Sequence, residues 1–82
     1  MKRADNYSNL EPEQRLANAI IIQAAEDYRT ALRCLRINPD HKPSLEMLQE
    51  CERFFRSEWY QMLTTVDGEM IMRKIREEEK SK

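Results

Sequence analysis

Two carboxylates, Asp27 and Glu52, stand inside patterns that are otherwise apolar. On a helical wheel Asp27 falls between Ala24 and Ala31, and Glu52 falls beside Leu48. Two bare carboxylates facing each other would repel, and one of them would tend to keep a proton. The pair is therefore the first candidate for a chemically active or structurally important polar site.

Several partners would make such a pair stable. A basic side chain from the C-terminal region could bridge the carboxylates, and the candidates are Arg73, Lys74 and Arg76. Tyr28 or a water could share the hydrogen bonds, or both carboxylates could reach solvent. A divalent cation would need further ligands, including the Glu-x-x-His pair of helical carboxylate sites, which this sequence lacks. We expect a buried polar network without a metal, in which loss of one partner costs roughly 3–5 kcal/mol.

Cys34, Cys51 and His41 are the other residues that could bind zinc or act as a nucleophile with its base. If the chain folds back near Pro39, the two thiols are offset by roughly 9 Å along the helices. That offset is too large for one tetrahedral zinc site or a disulfide. We expect buried cysteines and a histidine in a loop or at a helix cap. No catalytic constellation or glycine-rich phosphate loop is present, so we predict a protein that is not an enzyme and uses no cofactor or metal.

The string DGE at residues 67–69 offers two carboxylates around the only glycine. A calcium loop needs more oxygen ligands at fixed spacing, which the surrounding TTVDGEMIM does not supply. Asp67 is better explained as an N-cap, and Glu69 as an acidic residue favoured in a first helical turn.

These residues must be positioned by helices, because the apolar periodicity is close to 3.6 residues throughout. We predict an all-α fold: a flexible arm at 1–10 and a single domain at 11–80, with helices at about 11–36, 43–64 and 68–79. Pro39 and Pro43 bound the first connection, so the first two helices form an antiparallel hairpin. The third helix completes a three-helix bundle. Ser57 leaves open whether the second helix is continuous.

The segment FFRSEWYQMLTTVDGE, residues 54–69, holds most of the aromatic residues. On the wheel of the second helix, the centre of the apolar face contains Phe55, Trp59, Met62 and Val66, which we predict to be core. Phe54 and Tyr60 lie about 120° to either side of that centre. We predict that they are exposed and contact a partner; the alternative is that another segment covers them.

The polar face of the first helix carries an arginine stripe, which consists of Arg15, Arg29, Arg33 and Arg36 around Ile22. Guanidinium groups so arranged could bind phosphates or an acidic protein surface. The alternative is a solvated face without a partner. The stripe is our second candidate for a partner-binding surface.

Fourteen basic and fifteen acidic residues give the 82-residue chain a net charge of −1. This balance is typical neither of a nucleic-acid-binding protein nor of an acidic DNA mimic. No apolar run approaches about 18 residues, and no signal peptide is evident, so we expect a cytoplasmic protein without membrane contact. Two cysteines fit a reducing compartment. A chain of this size could gain the stability it needs from idealised helix packing, from a partner chain or from homodimerisation.

The second half, ECERFFRSEWYQMLTTVDGEMIMRKIRE, resembles a family of small helical proteins from phages and conjugative elements of Firmicutes. The shared features are the FF pair, a serine, an aromatic residue, LT, DGE and a basic helix. The first half is similar to the same family over AEDYRTALRCL. The resemblance covers residues 15–78 and is sharpest over 54–69.

Small proteins of such elements include inhibitors of host CRISPR nucleases. The resemblance thus implies an anti-CRISPR protein of a bacterial host cell that docks on a type II effector. Because the charge is near neutral, docking would use apolar and arginine contacts rather than imitation of DNA. The alternative function is a nucleic-acid-binding accessory protein that uses the arginine stripe.

Overall fold

A computed structural model describes residues 12–81, in which every regular element is a helix. The helices are α1 (Pro12–Ile37), α2 (Lys42–Phe55), α3 (Glu58–Leu63) and α4 (Gly68–Lys80). The all-α prediction is therefore confirmed. The predicted arm at 1–10 lies outside the described residues. None of the described helices has the length and apolar character that crossing a membrane requires.

α1 and α2 form the predicted antiparallel hairpin. The Asn38 amide donates a hydrogen bond to the Cys34 carbonyl, 2.8 Å, and Pro39 follows where the helix must end. Pro43 stands in the first turn of α2, where its missing donor costs nothing. The Tyr28 hydroxyl donates to Glu52 Oε2 at 3.0 Å, which confirms that residues 27–28 and 52 lie at the same level of the hairpin.

The predicted second helix at 43–64 is two helices, because the chain breaks at Arg56 and Ser57. Ser57 Oγ donates to the Phe54 carbonyl, 2.7 Å, and accepts from the Tyr60 amide, 3.1 Å. One hydroxyl thus caps the end of α2 and the beginning of α3. Residues 12–81 thus contain four helices, whereas we predicted three.

The break changes which side chains are buried. The core consists of Tyr28, Cys51, Phe55, Tyr60, Met72 and Ile75. Our prediction that Trp59, Met62 and Val66 are core is wrong, since they are 55%, 83% and 48% exposed. The wheel assumed one continuous helix, and the turn at Ser57 rotates every later residue relative to α2.

α4 packs against both helices of the hairpin and runs parallel to the C-terminal half of α1. Asp67 caps it as predicted, with its Oδ1 accepting from the Glu69 amide at 3.0 Å. Gly68 lies so close to the end of α2 that an added Cβ would overlap the Phe55 carbonyl oxygen. Glycine is therefore required by close approach, with no unusual backbone conformation.

Candidate functional site

Three arginines of the predicted stripe bind α4. Arg33 contacts the Glu79 carboxylate with two hydrogen bonds, 3.0 and 3.2 Å, and Arg29 binds Glu78 at 2.6 Å. Arg36 donates to the backbone carbonyl of Glu79. The hydrogen bond and charge of Glu79 raise the pKa of Arg33. These three arginines therefore help to hold α4 against α1, and their binding of a partner stays a prediction.

Glu78 and Glu79 are the ion-pair partners of these arginines, and sequence analysis did not predict them. Glu79 is only 4% exposed, which is unusual for a glutamate and depends on the arginines around it. The signal was present, because the acidic run EEE at 77–79 has a charge complementary to the stripe. Periodicity within one helix does not reveal that complementarity, since it requires the pairing of helices.

The other two members of the stripe lie nearer the beginning of α1. Arg15 is exposed at the beginning of α1, about 21 Å along the helix axis from Arg29. Ile22 is 48% exposed on the same helix. The five predicted residues therefore lie along one continuous helix, α1, and their use as a partner-binding surface stays a prediction.

The two candidate carboxylates, Asp27 and Glu52, form separate hydrogen bonds. Glu52 accepts from the buried Tyr28 hydroxyl, which accepts from Arg76 Nη1 at 2.8 Å. Asp27 instead accepts an exposed hydrogen bond from Gln23, 3.0 Å, on its own helix. The polar network contains Glu52 as predicted but does not join it directly to Asp27. Burial is the main cause that raises the pKa of Tyr28, so the hydroxyl stays protonated.

The negative charges of both carboxylates, Asp27 and Glu52, act on the Cys51 thiol. Burial raises the pKa of its thiol to about 11, with further contributions from Asp27, Glu50 and Glu52. Cys34 and Cys51 are both free thiols, and the His41 ring lies 2.7 Å from Ser44 Oγ at the start of α2. Among residues 12–81 no three His, Cys, Asp or Glu side chains gather as metal ligands would.

Phe54 and Tyr60 were predicted to be exposed contacts for a partner, and for Tyr60 the predicted exposure is wrong. Its side chain is 1% exposed, and its ring packs edge-to-face on Phe54 and Phe55 at 5.6 and 5.4 Å. Phe54 is half-buried against the core. Because the turn at Ser57 rotates α3 about its axis relative to α2, the Tyr60 side chain points into the core.

The same rotation turns apolar side chains outward. The exposed apolar residues of α3, the following loop and the first turn of α4 are Trp59, Met62, Val66 and Met70, here called the Trp59 surface. Trp59 and Met62 are three residues apart and so share one face of α3. The Trp59 ring also contacts Phe54 edge-to-face, with centroids 5.5 Å apart, which holds its orientation. Sequence analysis missed this surface because it placed three of the four residues in the core.

A cavity of about 360 Å³ lies between α3 and the beginning of α4. We call it the α3–α4 cavity. Its walls include Tyr60, Gln61, Thr64, Thr65, Asp67 and Gly68, with Arg56 and Glu69 also lining it. Arg56 donates to Glu69 from Nε, 2.5 Å, and lies 3.7 Å from Glu52. The hydrogen bond from Arg56 lowers the pKa of Glu69.

The Tyr60 hydroxyl is the buried side-chain polar atom that finds no hydrogen-bond partner within the described part of the chain. Burial, and then the negative charge of Asp67, raises the pKa of Tyr60. A buried hydroxyl without a partner costs free energy and usually indicates a water or ligand. Tyr60 and Asp67 are both among the residues that line the α3–α4 cavity.

Comparison of the chain with protein-family models, with curated proteins and with solved structures yields no significant match. The surfaces above must therefore carry any functional argument.

Proposed function

We propose that this chain is a non-enzymatic module that binds another protein through the Trp59 surface. The observation that carries the proposal is the exposure of Trp59 and Met62, at 55% and 83%, on one face of α3. Burying each such side chain against a partner would contribute roughly 1.5–3 kcal/mol. Tryptophan is also among the residues that most often dominate the affinity of protein interfaces.

α3 is well suited to present these residues, because it is fixed at both ends. The Ser57 hydroxyl accepts from the Tyr60 amide at its start, and Tyr60 itself is anchored in the core. Thr64 Oγ1 accepts from the Val66 amide just beyond its end, 3.2 Å. A surface already held in place loses little conformational entropy when it binds, and this supports recognition by docking.

The nucleic-acid-binding alternative is not favoured by any observation. Arg29, Arg33 and Arg36 direct donors to Glu78 and Glu79, so binding of phosphates there would compete with contacts that hold α4. A mobility-shift titration at low salt tests this alternative, because binding through phosphates weakens steeply with salt.

The narrower proposal, inhibition of a type II CRISPR nuclease in a bacterial cytoplasm, is supported by the resemblance of residues 54–69 to small phage and conjugative-element proteins. Trp59 is the only tryptophan, so 5-fluorotryptophan gives a single ¹⁹F signal from this chain. On titration with the purified nuclease, we expect that signal to shift or broaden as Trp59 is buried, and target cleavage to fall.

Matched variants test the surface itself. Met62→Glu places a charge on the Trp59 surface, whereas Met47→Glu places one at a 39% exposed methionine of α2. We expect Met62→Glu to weaken binding at least tenfold, or about 1.4 kcal/mol, and Met47→Glu to bind normally. Equal affinities for the two variants would show that the Trp59 surface is not the interface. An unchanged ¹⁹F signal with normal cleavage would remove this nuclease as the partner.

A further inference from the structure

We propose that a crevice between the C-terminal ends of α1 and α4 binds a small carboxylate that carries a short alkyl chain. We call it the α1–α4 crevice, and its walls are formed by Leu32, Arg36, Arg76, Glu79 and Lys80. The alkyl chain would lie along the apolar wall, and the carboxylate would meet the cationic groups at the rim. The crevice shares no residue with the Trp59 surface and does not depend on the proposed function.

The first argument is the apolar wall and the size of the space. Leu32 packs against the core, and the carbon stems of the long charged side chains supply the rest of the apolar wall. The volume is about 200 Å³, several times the roughly 30 Å³ that one water occupies in the liquid. It is smaller than the roughly 300–1,000 Å³ of drug-sized sites. A short alkyl chain fits both limits.

The second argument is the state of the charges that line the crevice. Its one carboxylate, Glu79, is nearly buried and accepts two hydrogen bonds from Arg33. Arg36 and Arg76 donate to neutral oxygens instead, the backbone carbonyl of Glu79 and the Tyr28 hydroxyl. An arginine has five N–H donors, so both guanidinium groups retain donors for an anion.

Lys80 is the third cation of the crevice. Its side chain is exposed and forms no ion pair with another of residues 12–81. A carboxylate in the crevice would accept charge-assisted hydrogen bonds from Lys80 and from Arg36.

The neighbouring charges on α1 and α4 leave this positive excess in place. Arg29 and Arg33 balance Glu78 and Glu79. Glu77 is exposed on α4 and balances one of the three cations of the crevice at most.

The charges on the side of α2 balance each other. Arg56 contacts Glu69 at 2.5 Å and lies 3.7 Å from Glu52. The charge of Arg73 also acts on Glu69. Two cations thus face two carboxylates on that side, and neither carboxylate lines the crevice.

The ends of α1 and α4 add partial negative charge, about −0.5 for each helix. Arg36 donates to one of these terminal carbonyls, that of Glu79, and Ser81 Oγ donates to that of Glu77 at 2.9 Å. With Glu77 and both helix ends counted, the crevice still carries a net positive charge. An anion therefore fits its rim, and an alkyl chain fits its wall.

The test uses hexanoate as the probe and hexanamide as the matched control, which has nearly the same shape and no charge. Amide resonances of the chain are followed by ¹H–¹⁵N NMR at constant sodium concentration. We expect saturable shifts at Leu32, Arg36 and Lys80 with hexanoate, and an affinity at least about tenfold weaker for hexanamide. Acetate keeps the charge but lacks the chain. It should also bind at least about tenfold more weakly, because each buried methylene adds about fourfold in affinity.

Matched variants locate the site. Lys80→Gln removes an ammonium group from the crevice, whereas Lys74→Gln removes an exposed one from α4 outside it. We expect Lys80→Gln to weaken hexanoate binding about threefold, because solvent screens this exposed group, and Lys74→Gln to bind normally. Adding Arg36→Gln to Lys80→Gln should bring the loss to at least about tenfold. Dispersed amide spectra of the variants check that they fold.

Each contrary result overturns the inference in a different way. Absence of saturable shifts with the unmodified chain would show that the cations only balance the helix ends. Equal affinity for hexanamide would exclude recognition of the charge, and equal affinity for acetate would exclude use of the apolar wall. Normal binding by the double variant would place the probe elsewhere. Met62→Glu should bind hexanoate normally, so the crevice can fail while the Trp59 surface stands, and the reverse.

Discussion

Two buried tyrosines have opposite hydrogen-bonding states, and this difference predicts opposite mutational effects. Tyr28 donates to Glu52 and accepts from Arg76, so Tyr28→Phe leaves both groups without that partner. We expect a loss of about 1–3 kcal/mol in the free energy of unfolding. Tyr60→Phe removes a hydroxyl that has no partner among residues 12–81 and should leave stability unchanged or slightly higher. Urea denaturation measures the free energy of unfolding of both variants. Equal destabilisation by the two substitutions would contradict this prediction.

Gly68 gives a second prediction at the scale of one residue. In most helices Gly→Ala is stabilising by roughly 0.5–1 kcal/mol. Here the added methyl would overlap the Phe55 carbonyl oxygen, so α2 and α4 must separate. We expect Gly68→Ala to destabilise the fold by about 1–3 kcal/mol in urea denaturation. Glu77→Ala, an exposed site on α4, is the control and should stay within about 0.5 kcal/mol.

The raised pKa of the Cys51 thiol predicts that the free energy of unfolding depends on pH in the alkaline range. Burial raises the pKa of its thiol from 9.0 in the unfolded chain to about 11 in the fold. As pH rises from 9 towards 11, the unfolded state loses this proton first, so the free energy of unfolding falls. Cys51→Ala should reduce that fall, as measured by urea denaturation across this pH range. At pH 8, iodoacetamide should modify the half-buried Cys34 well before Cys51.

At the scale of elements, α4 is attached by ionic contacts in addition to the apolar packing of Met72 and Ile75. Arg33→Ala would leave the nearly buried Glu79 without its two-bond partner. Because the Arg33 side chain is about half exposed, solvent screening limits the expected loss to about 1–2 kcal/mol. We also expect faster hydrogen exchange along α4, and an effect that shrinks as salt rises.

Arg53→Ala is the matched control, because Arg53 is an exposed arginine of α2. Its stability and exchange should be close to those of the unmodified chain. If Arg33→Ala behaved in the same way, the ion pairs with Glu79 would be incidental to the attachment of α4.

The elements also show why part of the fold was predictable. The all-α class, the proline-bounded turn and the Asp67 cap follow from local rules, and all three were predicted correctly. The boundary at Ser57 depends on one hydroxyl that bonds two backbone groups. The sequence pattern indicates a possible interruption at Ser57 but does not show how far the interruption rotates α3 about its axis relative to α2. That single error exchanged the exposures expected for Tyr60 and Trp59.

The candidate site was less predictable than the fold for a related reason. The arginine stripe was recognised, but its partners lie more than forty positions away in sequence, at Glu78 and Glu79. The α3–α4 cavity arises where two helices fail to touch closely, which no single-helix pattern records. Tertiary pairing decides both features.

At the scale of the whole molecule, the exposed Trp59 surface raises the question of self-association. Homodimerisation would cover this surface with a second copy, whereas our proposal assigns it to a different protein. We expect a monomer in sedimentation velocity at micromolar concentration. A dimer in the unmodified chain that Met62→Glu converts to a monomer would show that the surface binds its own copy.

The way α3 is held has a consequence for how this protein can diversify. Its fixed points are Ser57, Tyr60 and Asp67, while the neighbouring Met62 and Val66 project outward. Exchanges at 62 and 66 should therefore cost little in folding. Under the proposed function, such exchanges would alter the choice of partner, and relatives with other targets should differ first at these two positions.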